Sequence, residues 1–278
     1  MRRLVDLILL TSVYTACCAT GLCMATEMLV NGSPPQLINH LHLLVFGSTL
    51  VVYNLHHAAK KQLAGIYKGL PRPVYVVFAF AGTVMAAYGL WFLSWKMLAG
   101  CFVLGILSFG YSFPIVPLLG GRKLREIGWL KITDLALVWT IVTSVLPVLY
   151  WDRSIKDFPF EILLRFAFIF TLCIIFDLRD VSIDKANRIS TLPDRLGPRR
   201  SYRLIDISLT VFVLLSVVQY VRYGAADRLA GAIMTALITR TVAWYLSKER
   251  GMRLYIFLAD GVMLLYALTV LLPHCFRS

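Results

Sequence analysis

Charged residues are scarce in this chain, and acidic residues are the scarcest. Of 278 residues, 15% are charged and only 15 are Asp or Glu. Soluble domains carry about 25% charged and 45–50% apolar residues, whereas here 59% are hydrophobic and the mean hydropathy is +0.73. One core cannot bury so much apolar surface in a domain of this size. A soluble enzyme and a disordered chain are therefore excluded, and lipid must be part of the solvent.

The chain also lacks the cysteine spacing of a metal or disulfide framework. Its six cysteines lie in or beside apolar runs. The sequence has neither paired Cys-x-x-Cys motifs nor a Cys-x-x-Cys motif followed by histidines. A zinc site and disulfides are therefore not expected. The net charge of +13 would suggest nucleic acid in a soluble protein. Here the basic residues fall in short loops and form no continuous face. A lipid bilayer is therefore the expected partner, and nucleic acid is not.

Apolar runs long enough to cross a bilayer, about 20 residues each, fill the chain. Arg2 and Arg3 before an apolar run resemble a secretory signal, but the run continues to Val30, which favours a retained first helix. The sequence predicts an all-α polytopic membrane protein with nine transmembrane helices in a single domain, residues 1–278. The predicted spans are 4–29, 37–57, 73–94, 96–118, 129–150, 158–177, 203–222, 226–246 and 253–273.

The distribution of Lys and Arg predicts the orientation of these spans. Twenty of the 28 basic residues fall in the N-terminus and in alternate loops on one side, and six fall on the other side, with Arg165 and Arg240 inside spans. Because cytoplasmic loops carry the excess of positive charge, the N-terminus is predicted to be cytoplasmic and the C-terminus to lie on the outer face.

Ionisable residues within spans rarely face lipid. Asp134 and Asp206 lie near cytoplasmic ends of spans, where either can line a cavity, and Asp260 can pair with Arg240 across the last two spans.

Three of the few acids, Asp177, Asp180 and Asp184, follow one another at the end of the sixth span. Their spacing of i, i+3, i+7 places them on one helix face. Carboxylates that lie so close together repel one another, and they are costly near a bilayer. A compensating cation is therefore expected. Mg²⁺ commonly binds one or two carboxylates together with substrate phosphates. The alternative is a solvated helix end that pairs with Arg179, Lys185 and Arg188.

Residues 177–197, DLRDVSIDKANRISTLPDRLG, resemble the second aspartate motif of the UbiA superfamily of intramembrane prenyltransferases. Asp180 and Asp184 match its DxxxD pair, and Asp177 matches a further polar or acidic position. The tail of the motif is matched by Thr191, Leu192, Pro193, Leu196 and Gly197. Supporting similarities are the nine spans, the Tyr-Ser-x-Pro sequence that begins at Tyr111, and the basic segment from Arg122 to Lys131.

The first acidic motif of that family is degenerate here. The matching stretch, residues 53–62, reads YNLHHAAKKQ: Asn54 is kept, but Leu55, Ala58 and Gln62 occupy the acidic positions. The cations that stand nearby, His57, Lys60 and Lys61, can contact phosphate directly and replace part of a metal's charge. Alternatively, the histidines are ordinary interfacial residues and the lysines only set the topology.

The resemblance implies a helix bundle with a central cavity open toward the cytoplasm and Mg²⁺-assisted transfer of a prenyl group from a polyprenyl diphosphate to an aromatic or other lipophilic acceptor. Fewer Mg²⁺ ions than usual are expected. Asp177, Asp180 and Asp184 are the implied catalytic and metal-binding residues.

The protein is expected to lie in a bacterial inner membrane. The acceptor, the length of the prenyl chain and the oligomeric state stay open. The alternatives are an inactive relative that binds isoprenoid or scaffolds membrane partners, and a transporter. The residues implied to bind diphosphate are Asn54, His57, Lys60, Lys61, Tyr111, Lys131, Arg179 and Lys185.

Overall fold

In the computed structural model, the described residues are 2–33, 35–59, 70–112, 127–186, 190–224, 226–248 and 251–275. Apart from one two-residue strand, the regular structure in these ranges is helical, as predicted. Contacts divide the chain into two compact units, Met1–Ser94 with Glu249–Ser278, and Trp95–Lys248.

In its described ranges, the first unit contains five α-helices. They are α1 (Arg2–Leu10), α2 (Val13–Asn31), α3 (His40–Ala59), α4 (Arg72–Trp91) and α11 (Met252–Cys275). Helix α2 packs between α11 and α3, and α3 packs in turn on α4.

Glycines allow α3 and α4 to approach unusually closely. A Cβ atom on Gly82 would lie 2.7 Å from the carbonyl oxygen of Gly47, and one on Gly89 would lie 2.5 Å from that of His40. Helices in lipid gain stability from such close backbone packing, because lipid tails are as apolar as the side chains.

The first predicted span is interrupted. Residues 4–29 were expected to form one helix, but α1 ends at Leu10 and α2 begins at Val13. Between them, Ser12 adopts a left-handed conformation with φ of 59°. A break exposes backbone groups that need partners in an apolar environment. The buried side chain of Asn54 supplies one of them, because its Nδ2 donates to the carbonyl of Thr11 at 2.7 Å.

Among the residues that the structure describes, the second unit contains six α-helices and the short strand. They are α5 (Trp95–Ser112), α6 (Gly128–Thr140), α7 (Leu146–Tyr150), α8 (Pro159–Ala186), β1 (Ser190–Thr191), α9 (Leu192–Tyr223) and α10 (Ala226–Leu246). Helix α8 packs against α6 and α9, and α9 packs against α10. A π-helical turn, Ile141–Val145, joins α6 to α7 just before Pro147. Proline cannot donate a helical hydrogen bond, so the predicted fifth span is one rod with a local irregularity.

Seven helices in the described residues are long and apolar enough to cross a membrane. They lie at Val13–Asn31, Arg72–Trp91, Gly128–Tyr150, Pro159–Val181, Leu192–Tyr223, Ala226–Leu246 and Arg253–Pro273, and a shorter apolar helix covers Trp95–Ser108. Large apolar side chains are exposed on them: Trp91 and Trp95, where α4 ends and α5 begins, are each 85% exposed. Tryptophan is enriched at membrane interfaces. Because of its seven long apolar helices and the apolar side chains exposed on them, this chain is a multi-pass membrane protein.

Candidate functional site

Helix α8 carries the three acids of the second motif on one continuous rod. The sequence predicted that the span would end at residue 177, but α8 continues to Ala186, about 13 Å further at 1.5 Å per residue. All three positions, Asp177, Asp180 and Asp184, therefore lie in regular helix, and their i, i+3, i+7 spacing places them on one face. The side chains of Asp184 and Lys185 lie outside the described part.

Asp177, the first acid, forms a buried ion pair with Lys131. Lys131 Nζ lies 2.8 Å from Asp177 Oδ1, and the two side chains are only 13% and 9% exposed. The pair joins the first turn of α6 to α8. One turn further along α6, Asp134 is also buried. This end of α6 and α8 thus forms a buried polar region, which we call the α6–α8 acidic region, defined by Lys131, Asp134 and Asp177.

Asp180 is held differently, by the adjacent residue. Arg179 Nε and Nη2 donate to the two carboxylate oxygens of Asp180, each at 2.7 Å. The guanidinium also lies over the ring of Phe176, 5.2 Å from its centroid. Both side chains are partly exposed, 17% for Arg179 and 28% for Asp180. This pair can therefore exchange partners with a ligand at a lower desolvation cost than the buried Lys131–Asp177 pair.

The tail of the second motif holds the end of α8 next to the start of α6. Thr191, in β1, is fully buried and forms a parallel bridge with Gly128, the first residue of α6. Its hydroxyl accepts a hydrogen bond from the backbone of Asp194 and caps α9. Gly197 then takes φ 73° and ψ 165°, a conformation essentially reserved for glycine. These residues therefore have structural reasons to be present.

The residues of the first motif have partners of their own in the first unit. Asn54 is fully buried, and its Nδ2 donates to the carbonyls of Thr11 and Leu50. The ring of His57 stacks on that of Tyr75 at 5.5 Å between centroids. Sequence reasoning missed this structural role of Asn54, because the break in the first span has no clear signal in the sequence.

The other implied diphosphate-binding residues are only partly described. Tyr111 lies in the last turn of α5 and is partly exposed. Lys60 and Lys61 lie outside the described residues. The first-motif residues belong to one unit and the aspartates to the other, and the convergence of the two motifs on one cavity stays a prediction.

Asp260 and Arg240, which the sequence suggested can pair, each have a partner within their own unit. In the first unit, Asp260 accepts a hydrogen bond from Thr15 at 2.6 Å. In the second unit, Arg240 pairs with Asp206 of α9 and lies over the ring of Tyr202.

The carboxylates of the α8 face fit a hard divalent cation in their chemistry. Asp177, Asp180 and Asp184 offer only oxygen ligands, which Mg²⁺ prefers. Asp177 already has its charge balanced by Lys131. Asp180, whose pair is partly exposed, and Asp184 are therefore the better candidates for direct ligands.

Comparison with solved structures identifies this arrangement of helices. A UbiA homologue from Archaeoglobus fulgidus bound to Cd²⁺ superposes with a TM-score of 0.62 at 12% identity, covering 96% of this chain and 99% of that one. The same homologue bound to DMAPP and Mg²⁺ gives 0.62 at 11% identity with the same coverage.

A digeranylgeranylglyceryl phosphate synthase gives a TM-score of 0.54 at 12% identity, covering 98% of this chain and 99% of that one. No protein-family model and no curated protein matches the sequence. The resemblance noted in residues 177–197 is thus confirmed at the level of the fold.

Proposed function

Because this chain has the UbiA fold, we propose that it is an intramembrane prenyltransferase, which moves a prenyl group from a polyprenyl diphosphate to an aromatic or other lipophilic acceptor. The observation that carries the proposal is the acidic face of α8, where Asp177 is paired and buried and Asp180 is partly exposed. Solved structures of the same fold contain DMAPP or GPP with Mg²⁺, which supports diphosphate as the substrate class.

The proposed reaction breaks the bond between the allylic carbon and the diphosphate oxygen, and the electron pair stays on that oxygen. The acceptor then gives an electron pair to the allylic cation and loses a proton. Arg179 can leave Asp180 and bind the diphosphate through its planar guanidinium. Lys131 pairs with Asp177 at 2.8 Å and holds its carboxylate in place.

The expected cofactor is Mg²⁺, which Asp180 and Asp184 would hold. The chemistry that it supplies when bound is positive charge beside the departing diphosphate. With Leu55, Ala58 and Gln62 at the acidic positions of the first motif, fewer ions than usual are proposed. Lys60 and Lys61, together with His57 when it is protonated, would then provide positive charge that acts on the ground state and the transition state alike.

We propose nine spans rather than the seven that length and hydropathy identify. The additional spans are α3 and α5. Helix α3 carries two histidines in its first turn and two in its last, which lower its hydropathy at the membrane surfaces rather than in the middle. We propose that the N-terminus and the end of α8 face the cytoplasm, because Lys and Arg are concentrated on that side, and that the membrane is a bacterial inner membrane. Reporter fusions that place the 178–202 segment outside the cell would contradict this topology.

The second candidate is a non-catalytic protein that binds isoprenoid or lipid. Two observations favour it: the first motif has no carboxylate, and Asn54, the residue kept from that motif, is fully buried with its amide donating to two backbone carbonyls. Binding of a polyprenyl diphosphate without release of diphosphate is the behaviour expected of this candidate.

One experiment separates the two candidates. The chain is purified into nanodiscs and incubated with geranylgeranyl diphosphate, Mg²⁺ and a bacterial lipid extract as the source of acceptor, and prenylated products are detected by mass spectrometry. We expect product from the wild type and from Asp152→Asn, a control in an exposed loop. We expect at least about 100-fold less from Asp180→Asn, because a charge that acts in the transition state is removed. Bound substrate with no product in any sample would favour the non-catalytic candidate.

A further inference from the structure

Three potential metal ligands meet inside the first unit, far from the acidic face of α8 along the chain. Cys23 and Glu27 are one turn apart on α2, and His42 lies in the first turn of α3. Their ligand atoms all lie within 4.8 Å of one another, and all three residues are buried. His42 is fifteen residues from His57 on the same helix, which corresponds to about 22 Å. The cluster is therefore separate from the first motif at the other end of α3.

From this geometry we infer a zinc site formed by the Cys23 thiolate, the Glu27 carboxylate and the His42 imidazole. Sulfur, nitrogen and oxygen donors together suit Zn²⁺, whereas Mg²⁺ and Ca²⁺ prefer oxygen ligands alone. Bonds of about 2.0–2.3 Å separate the ligands of a tetrahedral ion by about 3.3–3.8 Å. His42 Nε2 and Glu27 Oε2 are already 3.1 Å apart, and the other separations are at most 4.8 Å, so changes of roughly 1 Å in side-chain position suffice to bind the ion.

Charge balance supports a divalent cation here. Glu27 is fully buried. Its partners among the described residues are Asn39 and His42, and His42 Nε2 lies 3.1 Å from Glu27 Oε2, an ion pair if the imidazole is protonated and a hydrogen bond if it is neutral. A buried carboxylate in a membrane bundle is costly unless a cation compensates it. A thiolate, a carboxylate and a neutral imidazole sum to two negative charges, which one Zn²⁺ neutralises. On binding, the Cys23 thiol loses its proton to solvent and no electron is transferred.

Asn39 already holds two of the ligands in position. Its Nδ2 donates to both carboxylate oxygens of Glu27 at 3.1 Å, and its Oδ1 accepts from the backbone of His42 at 2.8 Å. Outer partners of this kind orient metal ligands and strengthen metal binding. The connection after α2 is exposed at Leu37 and Ile38, 87% and 70%, and Asn39 follows directly, so the cluster lies near the end of α2 and the start of α3. Three protein ligands leave the fourth position to water.

The test uses Co²⁺ as a spectroscopic substitute for Zn²⁺ on the purified full-length chain, stripped of metal with a chelator. We expect about one equivalent of Co²⁺ to produce a thiolate-to-cobalt charge-transfer band, which Zn²⁺ then removes by displacement. Cys23→Ser abolishes the band. Cys18→Ser, a buried thiol on the same helix, and Asp180→Asn, on the acidic face of α8, both keep it.

Two further variants are expected to weaken metal binding to different degrees. His42→Gln weakens metal binding by more than the roughly 10–100-fold that loss of an outer partner costs, and Asn39→Ser, which keeps a cap for α3, weakens it within that range. Absence of a thiolate band in the wild type overturns the inference and identifies the cluster as a hydrogen-bonded one, whether or not the variants fold. A band that persists in Cys23→Ser overturns it equally.

Discussion

Removal of Lys131 alone leaves a buried carboxylate without its cation, and this is the sharpest energetic consequence of the α6–α8 acidic region. The two side chains are 13% and 9% exposed and their charged atoms are 2.8 Å apart. Breaking such a pair from one side costs about 3–5 kcal/mol, because the remaining charge stays desolvated. We therefore expect Lys131→Met to lower the free energy of unfolding by about 3 kcal/mol or more.

A double-mutant cycle isolates the pair from other effects. Lys131→Met combined with Asp177→Leu removes both charges, and we expect it to be less destabilising than the sum of the single variants, with a coupling of about 0.5–3 kcal/mol. The free energy of unfolding is measured by SDS titration in mixed micelles. The matched control is Lys96→Met, whose partner Asp152 lies in an exposed loop; these side chains are 66% and 79% exposed, so no measurable change is expected. If Lys131→Met is as stable as Lys96→Met, the buried-pair argument is refuted.

Three further predictions concern the backbone, and the same SDS titration measures each. Gly197→Ala should lower the free energy of unfolding by about 1–3 kcal/mol, because φ is 73° there and a Cβ atom is strained in that conformation. The control is Gly105→Ala, where a Cβ atom would meet nothing within 4 Å, and it should be neutral or stabilising. Equal effects of the two changes would contradict the strain at Gly197. Gly82→Ala should cost about 1–3 kcal/mol by forcing α3 and α4 apart; an unchanged stability would refute the close packing. Asn54→Asp should destabilise more than Asn54→Leu, since a carboxylate would face the Thr11 carbonyl, and the reverse order would show that the Nδ2 bonds matter little.

Hydrophobic runs predicted the helices well because a span in lipid must satisfy all of its backbone hydrogen bonds internally. The predicted span 226–246, for example, is present as α10 at Ala226–Leu246. The helical spacing of the three acids predicted that α8 continues beyond residue 177. The break at Ser12 could not be predicted, because it depends on a tertiary partner. Asn54 supplies a partner at the break, and the bridge between Gly128 and Thr191 holds the chain after α8.

The same reasoning explains which parts of the candidate sites could be predicted. Helical spacing within one segment is visible in the sequence, so the face that carries Asp177 and Asp180 could be identified. Contacts between side chains of different helices cannot be read from the sequence. The cysteine pattern indicated no metal site, yet the packing of α2 on α3 places Cys23 and Glu27 beside His42.

Phosphorus NMR on the wild-type chain in nanodiscs tests the central claim, that this is an intramembrane prenyltransferase, most directly. With geranylgeranyl diphosphate, Mg²⁺ and bacterial lipid extract present, the account predicts that the two ester-diphosphate resonances decay while the single resonance of inorganic diphosphate grows. A chelator, or Asp180→Asn, should stop the conversion. Persistence of the ester resonances at saturating substrate, with binding demonstrated on the same sample, would contradict the account and leave an isoprenoid-binding protein.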